Sequence, residues 1–170
     1  MDMHLTLENF TKCIEDIVKI SDLLMDGWIL KEKQGVENGK YIVKRCTTQL
    51  TKPDDKDIKV LVTFEYHIAY QLSYGVPVIC FKVWKHDGLL FSLEEYWEFN
   101  QDLKEHNMYD TLTQLDHPVL CQPFLTLHPC RTQEIIQPFL ENSKNPVISW
   151  LSVVGLFVHL NLLEEYLKNC

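Results

Sequence analysis

Ile58-Lys59-Val60-Leu61-Val62-Thr63-Phe64-Glu65-Tyr66-His67-Ile68-Ala69-Tyr70-Gln71-Leu72-Ser73-Tyr74 decides the fold: every even position in this run is apolar or aromatic. Between them fall Lys59, Thr63, Glu65, His67, Gln71 and Ser73. Side chains of a strand alternate between its two faces, so this period of two predicts an antiparallel strand half buried on a core. The run is far longer than the usual strand of about 5–6 residues, and it predicts a bend or bulge midway.

Working upstream, Tyr41 to Leu50 reads as the preceding strand, joined to Trp28-Ile29-Leu30 through a turn at residues 34–39. Asn38-Gly39 in that turn is a hairpin signal, because both residues tolerate positive φ. Residues 6–25 read as a helix: Thr6 can cap it, Leu7, Phe10, Ile14, Ile17, Val18 and Leu24 fall at helical spacing, and Gly27 stops it. Downstream, Gly75 ends the alternating run, and Val76 to Trp84 is apolar on both faces, as a central strand requires. His86-Asp87-Gly88 forms a turn, and Ser92 with Glu95 makes a capping box opening a helix over 93–103. After residue 105 come a loop, a short apolar segment from Gln122 to Leu127, and two helical stretches. Pro138 should interrupt the first of these, and the second should run from Val147 to about Lys168. The sum is an α+β fold, a four-stranded antiparallel meander with an N-terminal helix and C-terminal helices packed on one face. No repeat, low-complexity tract or flexible linker divides it, so residues 1–170 read as a single domain.

Composition bounds the function. The chain is 46% apolar and 24% charged, the make-up of a globular domain able to bury a core without disulfides. A formal charge of −8 with scattered Lys and Arg leaves no basic stripe to neutralise phosphates, which excludes nucleic acid as the main partner. Met1-Asp2-Met3-His4 has neither the basic start nor the apolar run of a secretory signal. Cysteines at 13, 46, 80, 121, 130 and 170 lack the tight spacing of a disulfide scaffold, and read as reduced thiols of a cytoplasmic protein. Val147 to Leu163 is short for a membrane span and carries Ser149, Ser152, His159 and Asn161, so a buried helix is expected and no membrane span. With Cys170 in last place, the four-residue prenylation pattern is not expected either.

The chemistry gathers at His128-Pro129-Cys130-Arg131-Thr132. A proline fixes the backbone on one side of Cys130 and a cation stands on the other, a setting that favours the thiolate. The polar Thr132-Gln133-Glu134 that follows predicts a surface turn at a helix start, where free backbone N–H groups favour the thiolate further. His117, Cys121, His128 and Cys130 raise the question of zinc, but their His-x3-Cys and His-x-Cys spacings fit poorly with paired zinc knuckles, and no metal is expected. A cysteine peptidase would pair Cys130 with His67, His117 or His159, and nothing in the sequence selects one of them. No small cofactor is called for.

Several segments together carry a resemblance: residues 64–70, Ser73-Tyr74-Gly75-Val76-Pro77-Val78, Asp116-His117-Pro118, Gln122-Pro123-Phe124, residues 127–132 and Ser149-Trp150-Leu151-Ser152. Over roughly residues 60–162 the chain resembles the autophagy-related ubiquitin-like-conjugating enzyme 10 family. The His-Pro-Cys motif is shared with autophagy-related protein 3, the related lipid-modifier conjugase. The Ser-Tyr-x-Val-Pro and Gln-Pro-Phe segments, and the lack of a long acidic insertion, favour the enzyme-10 branch. The resemblance implies a ubiquitin-conjugating-type fold with Cys130 as the thioester nucleophile. It implies autophagy-related protein 12 as modifier, autophagy-related protein 7 as activating enzyme, and a lysine of autophagy-related protein 5 as acceptor. The alternatives are a non-catalytic adaptor with the same fold, or a lipid-modifier conjugase handling autophagy-related protein 8-type modifiers.

One departure stands out. Ordinary ubiquitin-conjugating enzymes carry a His-Pro-Asn motif shortly before the cysteine, whereas His117-Pro118-Val119 lacks the amide and no asparagine occurs between 108 and 141. The oxyanion formed on transfer to an amine still needs a donor. His128, through its ring, and Tyr74, through its hydroxyl, are the substitutes to examine. The 58–74 strand either presents an edge for strand addition to a partner or is fully paired within the sheet. The acidic loop Pro53 to Asp57 would steer a basic surface.

Overall fold

The computed structural model describes residues 4–100 and 112–170. Helix α1 (Leu7–Leu24) begins where expected: the Thr6 hydroxyl accepts the Asn9 N–H at 3.1 Å. Phe10, Ile14 and Ile17 form its buried stripe, and it ends at Met25, whose left-handed φ of 53° closes the last turn ahead of Gly27. The first four strands are β1 (Ile29–Glu32), β2 (Lys40–Thr51), β3 (Lys59–Gln71) and β4 (Val76–Lys85). They form the antiparallel meander read from the sequence.

The sheet is wider than that reading. Strands β5 (Leu112–Asp116) and β6 (Pro123–Leu127) join it in the order β1-β2-β3-β4-β6-β5, making six strands rather than four. β5 falls where a loop was expected; it is an outer strand with only Leu112 fully buried, and its short polar sequence carries little periodicity. The expected bulge in the long strand is absent. Pairing runs unbroken from Thr51↔Lys59 to Ile42↔Ile68 on one side and from Val62↔Lys85 to Gln71↔Val76 on the other. The strand simply stops at Gln71, and residues 72–75 make the turn, with Gly75 at φ 64°. With β2 and β4 on its flanks, β3 is no free edge for strand addition.

The main core lies between the sheet and the helices, around Phe10, Trp28, Phe64, Tyr66, Phe81 and Trp150. Even-numbered residues of β3 face it, as the alternation predicts. The opposite face is not wholly in water, however. The β5–β6 connection folds back over it, so that Val119 of that loop and Phe124 of β6 bury Tyr41, Ala69, Val78 and Cys80 in a second, smaller cluster. Lys33 fastens this loop from the far side, donating to the Val119 carbonyl at 3.1 Å.

Helix α2 (Leu93–Glu98) opens on the Ser92 cap, the hydroxyl accepting the Glu95 N–H at 3.1 Å. Positions 101–103 of the expected helix lie outside the described residues. Helix α3 (Thr132–Asn142) is not interrupted by Pro138. Pro138 and Glu134, whose carbonyl would have taken the missing N–H, are both exposed, while Ile136 packs inward. The single helix expected over 147–168 is divided. Helix α4 (Pro146–Val154) gives way to a 3-10 turn (Gly155–Val158), then to a left-handed His159 and a short α5 (Glu164–Leu167). The break is built by close approach: a Cβ on Gly155 would lie 2.7 Å from the Leu160 carbonyl oxygen. Tyr66 donates to the Val158 carbonyl at 2.6 Å, and Tyr166 anchors α5 to Asp26 at 2.8 Å. Among the described residues no helix is long and apolar enough to cross a membrane.

Candidate active site

Strand β6 delivers Cys130. Its register with β4 pairs Cys80 with Thr126 and Phe81 with Leu125, and the turn that follows, carrying Cys130, packs against β4. The turn immediately before β4 carries Tyr74. The two sequence candidates therefore meet: the Tyr74 and His128 rings lie edge to face, centroids 5.9 Å apart and planes at 83°. After β6 the chain makes a 3-10 turn (Pro129–Arg131) that leads directly into α3. His128 is extended and its Nδ1 accepts the Cys130 N–H at 3.1 Å.

Cys130 is exposed, and Arg131 beside it is exposed as well. Below the turn a small recess is lined by Leu127, Ile135, Trp150 and Val154, so the turn rests on packed apolar side chains. The other thiols divide clearly. Burial pushes Cys13 up to about 11 and Cys80 up to about 12, and it also raises Cys46. Those three are poor thiolates. Cys121 is exposed at a left-handed φ of 55°, in the loop at the opposite end of β6.

The remaining histidines are placed elsewhere. His117 also lies beyond the far end of β6, which at about 3.3 Å per residue puts it roughly 17 Å along the strand from the thiol turn. Its Nδ1 accepts from the N–H groups of Val119 (3.1 Å) and Leu120 (3.2 Å), which fixes its proton on Nε2. Nε2 then donates to His67 Nδ1 at 3.1 Å, His67 Nε2 donates to Glu65 Oε1 at 2.8 Å, and Arg45 closes the chain on the other Glu65 oxygen. Burial, with His67 as neighbour, pushes His117 down to about 3, and burial lowers His67 too. Burial raises the Glu65 carboxyl, but hydrogen bonds from His67 and Arg45 outweigh it and leave the group below its ordinary value.

This four-residue chain was not foreseen. Its only trace in the sequence is that Glu65 and His67, two apart, share a strand face. His159 is engaged with the Tyr96 hydroxyl at 2.8 Å. His67, His117 and His159, the three bases a peptidase would draw on, are thus each committed to partners other than Cys130. His117-Pro118-Val119 does not stand at the thiol either.

A family model described as the active-site domain of autophagocytosis-associated protein matches residues 9–165. The ubiquitin-like-conjugating enzyme ATG10 of Homo sapiens is 41% identical over 118 residues, covering 64% of this chain and 54% of that one. ATG10 of Arabidopsis thaliana is 30% identical over 144 residues, covering 72% and 64%. The chain spans about half to two thirds of the length of these curated relatives. Among solved structures, a crystal structure of the autophagic E2 Atg10 superposes with a TM-score of 0.62 at 12% identity, covering 94% of this chain and 99% of that one. That likeness is one of fold.

Proposed function

The chain belongs to the autophagocytosis-associated protein family, and from that premise we propose that it is a ubiquitin-like-conjugating enzyme of autophagy that carries its modifier as a thioester on Cys130. The observation that carries this reading is the position of the Cys130 thiol. It is exposed, borne on a capped turn at the start of α3, while three other thiols are held in protonated form by burial.

In the loading step the Cys130 thiolate attacks the carbonyl carbon of the activating enzyme's thioester. A new carbon–sulfur bond forms, and the activating enzyme's sulfur leaves as thiolate. In the discharge step a neutral lysine amine attacks the same carbon, and Cys130 leaves as thiolate once the amine proton is lost. The oxyanion between these states needs a donor. Of the two candidates, the hydroxyl of Tyr74 is the donor proposed and His128 its local support, since their rings meet beside the thiol turn. By resemblance and relatedness the modifier is autophagy-related protein 12, the activating enzyme is autophagy-related protein 7, and the acceptor lysine belongs to autophagy-related protein 5. The reaction uses no metal or small cofactor, takes place in the cytoplasm, and residues 1–170 act as one catalytic domain.

The test is a non-reducing gel after mixing the protein with activating enzyme, ATP and modifier. A thiol-sensitive adduct should form, and Cys130→Ser should abolish it or replace it with a thiol-resistant oxyester. Absence of any adduct would point instead to an adaptor that keeps the fold without the reaction.

A further inference from the structure

Two His-Pro pairs bracket β6, His117-Pro118 before it and His128-Pro129 after it. Each builds the same local device. In both, histidine Nδ1 accepts the backbone N–H two residues ahead, from Val119 at 3.1 Å in one and from Cys130 at 3.1 Å in the other. The intervening proline explains the spacing. It has no N–H, so the first donor of the turn belongs to the residue after it, and its fixed φ aims that donor back at the preceding side chain. The imidazole takes the place that a Ser, Asp or Asn oxygen takes at an ordinary helix N-cap.

At the His117 end the capped N–H belongs to Val119, a core residue. At the other end it belongs to Cys130. The geometry points to His128 as the positioning residue of the reactive thiol: its Nδ1 caps the turn that carries Cys130, and Tyr74 stands against the ring and holds it in place. This deepens the reading of Cys130 as the thioester-forming residue and rests on it. Two consequences follow from the hydrogen bond itself. An Nδ1 that accepts cannot carry a proton, so the neutral ring bears its proton on Nε2, directed away from the cap. The Cys130 N–H, already committed to the ring, is not the oxyanion donor. His128 therefore acts on the sulfur by holding its backbone in place, and not by removing its proton through Nδ1.

The test uses the full chain with its activating enzyme, ATP and modifier, and follows discharge of preformed thioester to free lysine. His128→Ala should slow discharge about tenfold, since misplacement of a reacting atom is costly. His128→Asp, whose carboxylate caps but donates no proton, should recover the rate to within about threefold of wild type. Loss in His128→Asp as severe as in His128→Ala would overturn the capping role in favour of the ring as donor, and an undiminished rate in His128→Ala would overturn it outright. Independently, 15N NMR of the neutral ring at alkaline pH should show His128 as the Nε2–H tautomer; the Nδ1–H tautomer would exclude the cap. If wild type forms no thioester at all, the conjugating-enzyme reading fails, while the NMR measurement still decides whether the cap exists.

Discussion

The two ends of β6 carry the same dipeptide and make the same hydrogen bond, yet they are put to different uses. His117 is 1% exposed, and both its nitrogens are consumed, Nδ1 by the turn and Nε2 by His67. His128 is only partly buried, uses Nδ1 alone among the described residues, and shares its turn with an exposed thiol. The contrast teaches that the local motif supplies the turn while burial sets its consequence. A cap sealed into a core supports stability, and a cap at the surface is available to support chemistry. Orphaning a buried polar group costs far more than losing a solvated cap, because water can replace the partner only at the surface.

The comparison is most directly broken at His117. His117→Ala leaves the Val119 and Leu120 N–H groups and His67 Nδ1 without partners and opens a cavity beside Phe124. The expected loss is about 3 kcal/mol of unfolding free energy, measured by urea denaturation. A loss no larger than that of His128→Ala would erase the distinction between the two turns.

Acid sharpens it next. His117 is pushed down from its ordinary 6.5 to about 3, so the fold favours the neutral ring and the unfolded chain takes up the proton first. The stability held above about pH 6.5 is therefore lost as pH falls toward 3. At pH 5 the loss from this one group is roughly 2 kcal/mol. His67, lowered by burial, contributes in the same direction. Denaturation midpoints compared at pH 7 and pH 5 should show the drop in wild type and a much shallower one in His117→Ala.

The smallest effect is expected at His128. His128→Ala removes one partly exposed cap and should lower stability by only about 0.5–1 kcal/mol by the same denaturation assay. A loss near 3 kcal/mol would mean that this turn too belongs to the core.

Much of this architecture is legible from local rules. Thr6 caps α1 and Ser92 caps α2 through the hydrogen bonds their positions predict. The alternation over 58–74 assigns the inward face of β3 correctly, and the apolar Val76 to Trp84 run becomes a strand with neighbours on both sides. What escaped depends on residues distant in sequence. His67 reads as a solvent-facing residue from its odd position, and it is buried because the 117–121 loop returns across the sheet. β5 is too short and polar for periodicity to reveal. Pro138 stays within a helix because the lost hydrogen bond faces water, and the break at Gly155 reflects the approach of Leu160 rather than any signal in the apolar run.

Local rules were enough for helix α1, the first four strands and the inward face of the long strand, because each rests on contacts between near neighbours in the chain. The folded molecule alone settles which histidines are sealed away and that Tyr74 comes to lie against His128. The two His-Pro pairs differ locally only in the residue that follows, which says nothing of how deeply each is buried. Their roles separate once β6 carries one beneath a loop and brings the other out beside Tyr74, since burial and long-range pairing are properties of the assembled fold.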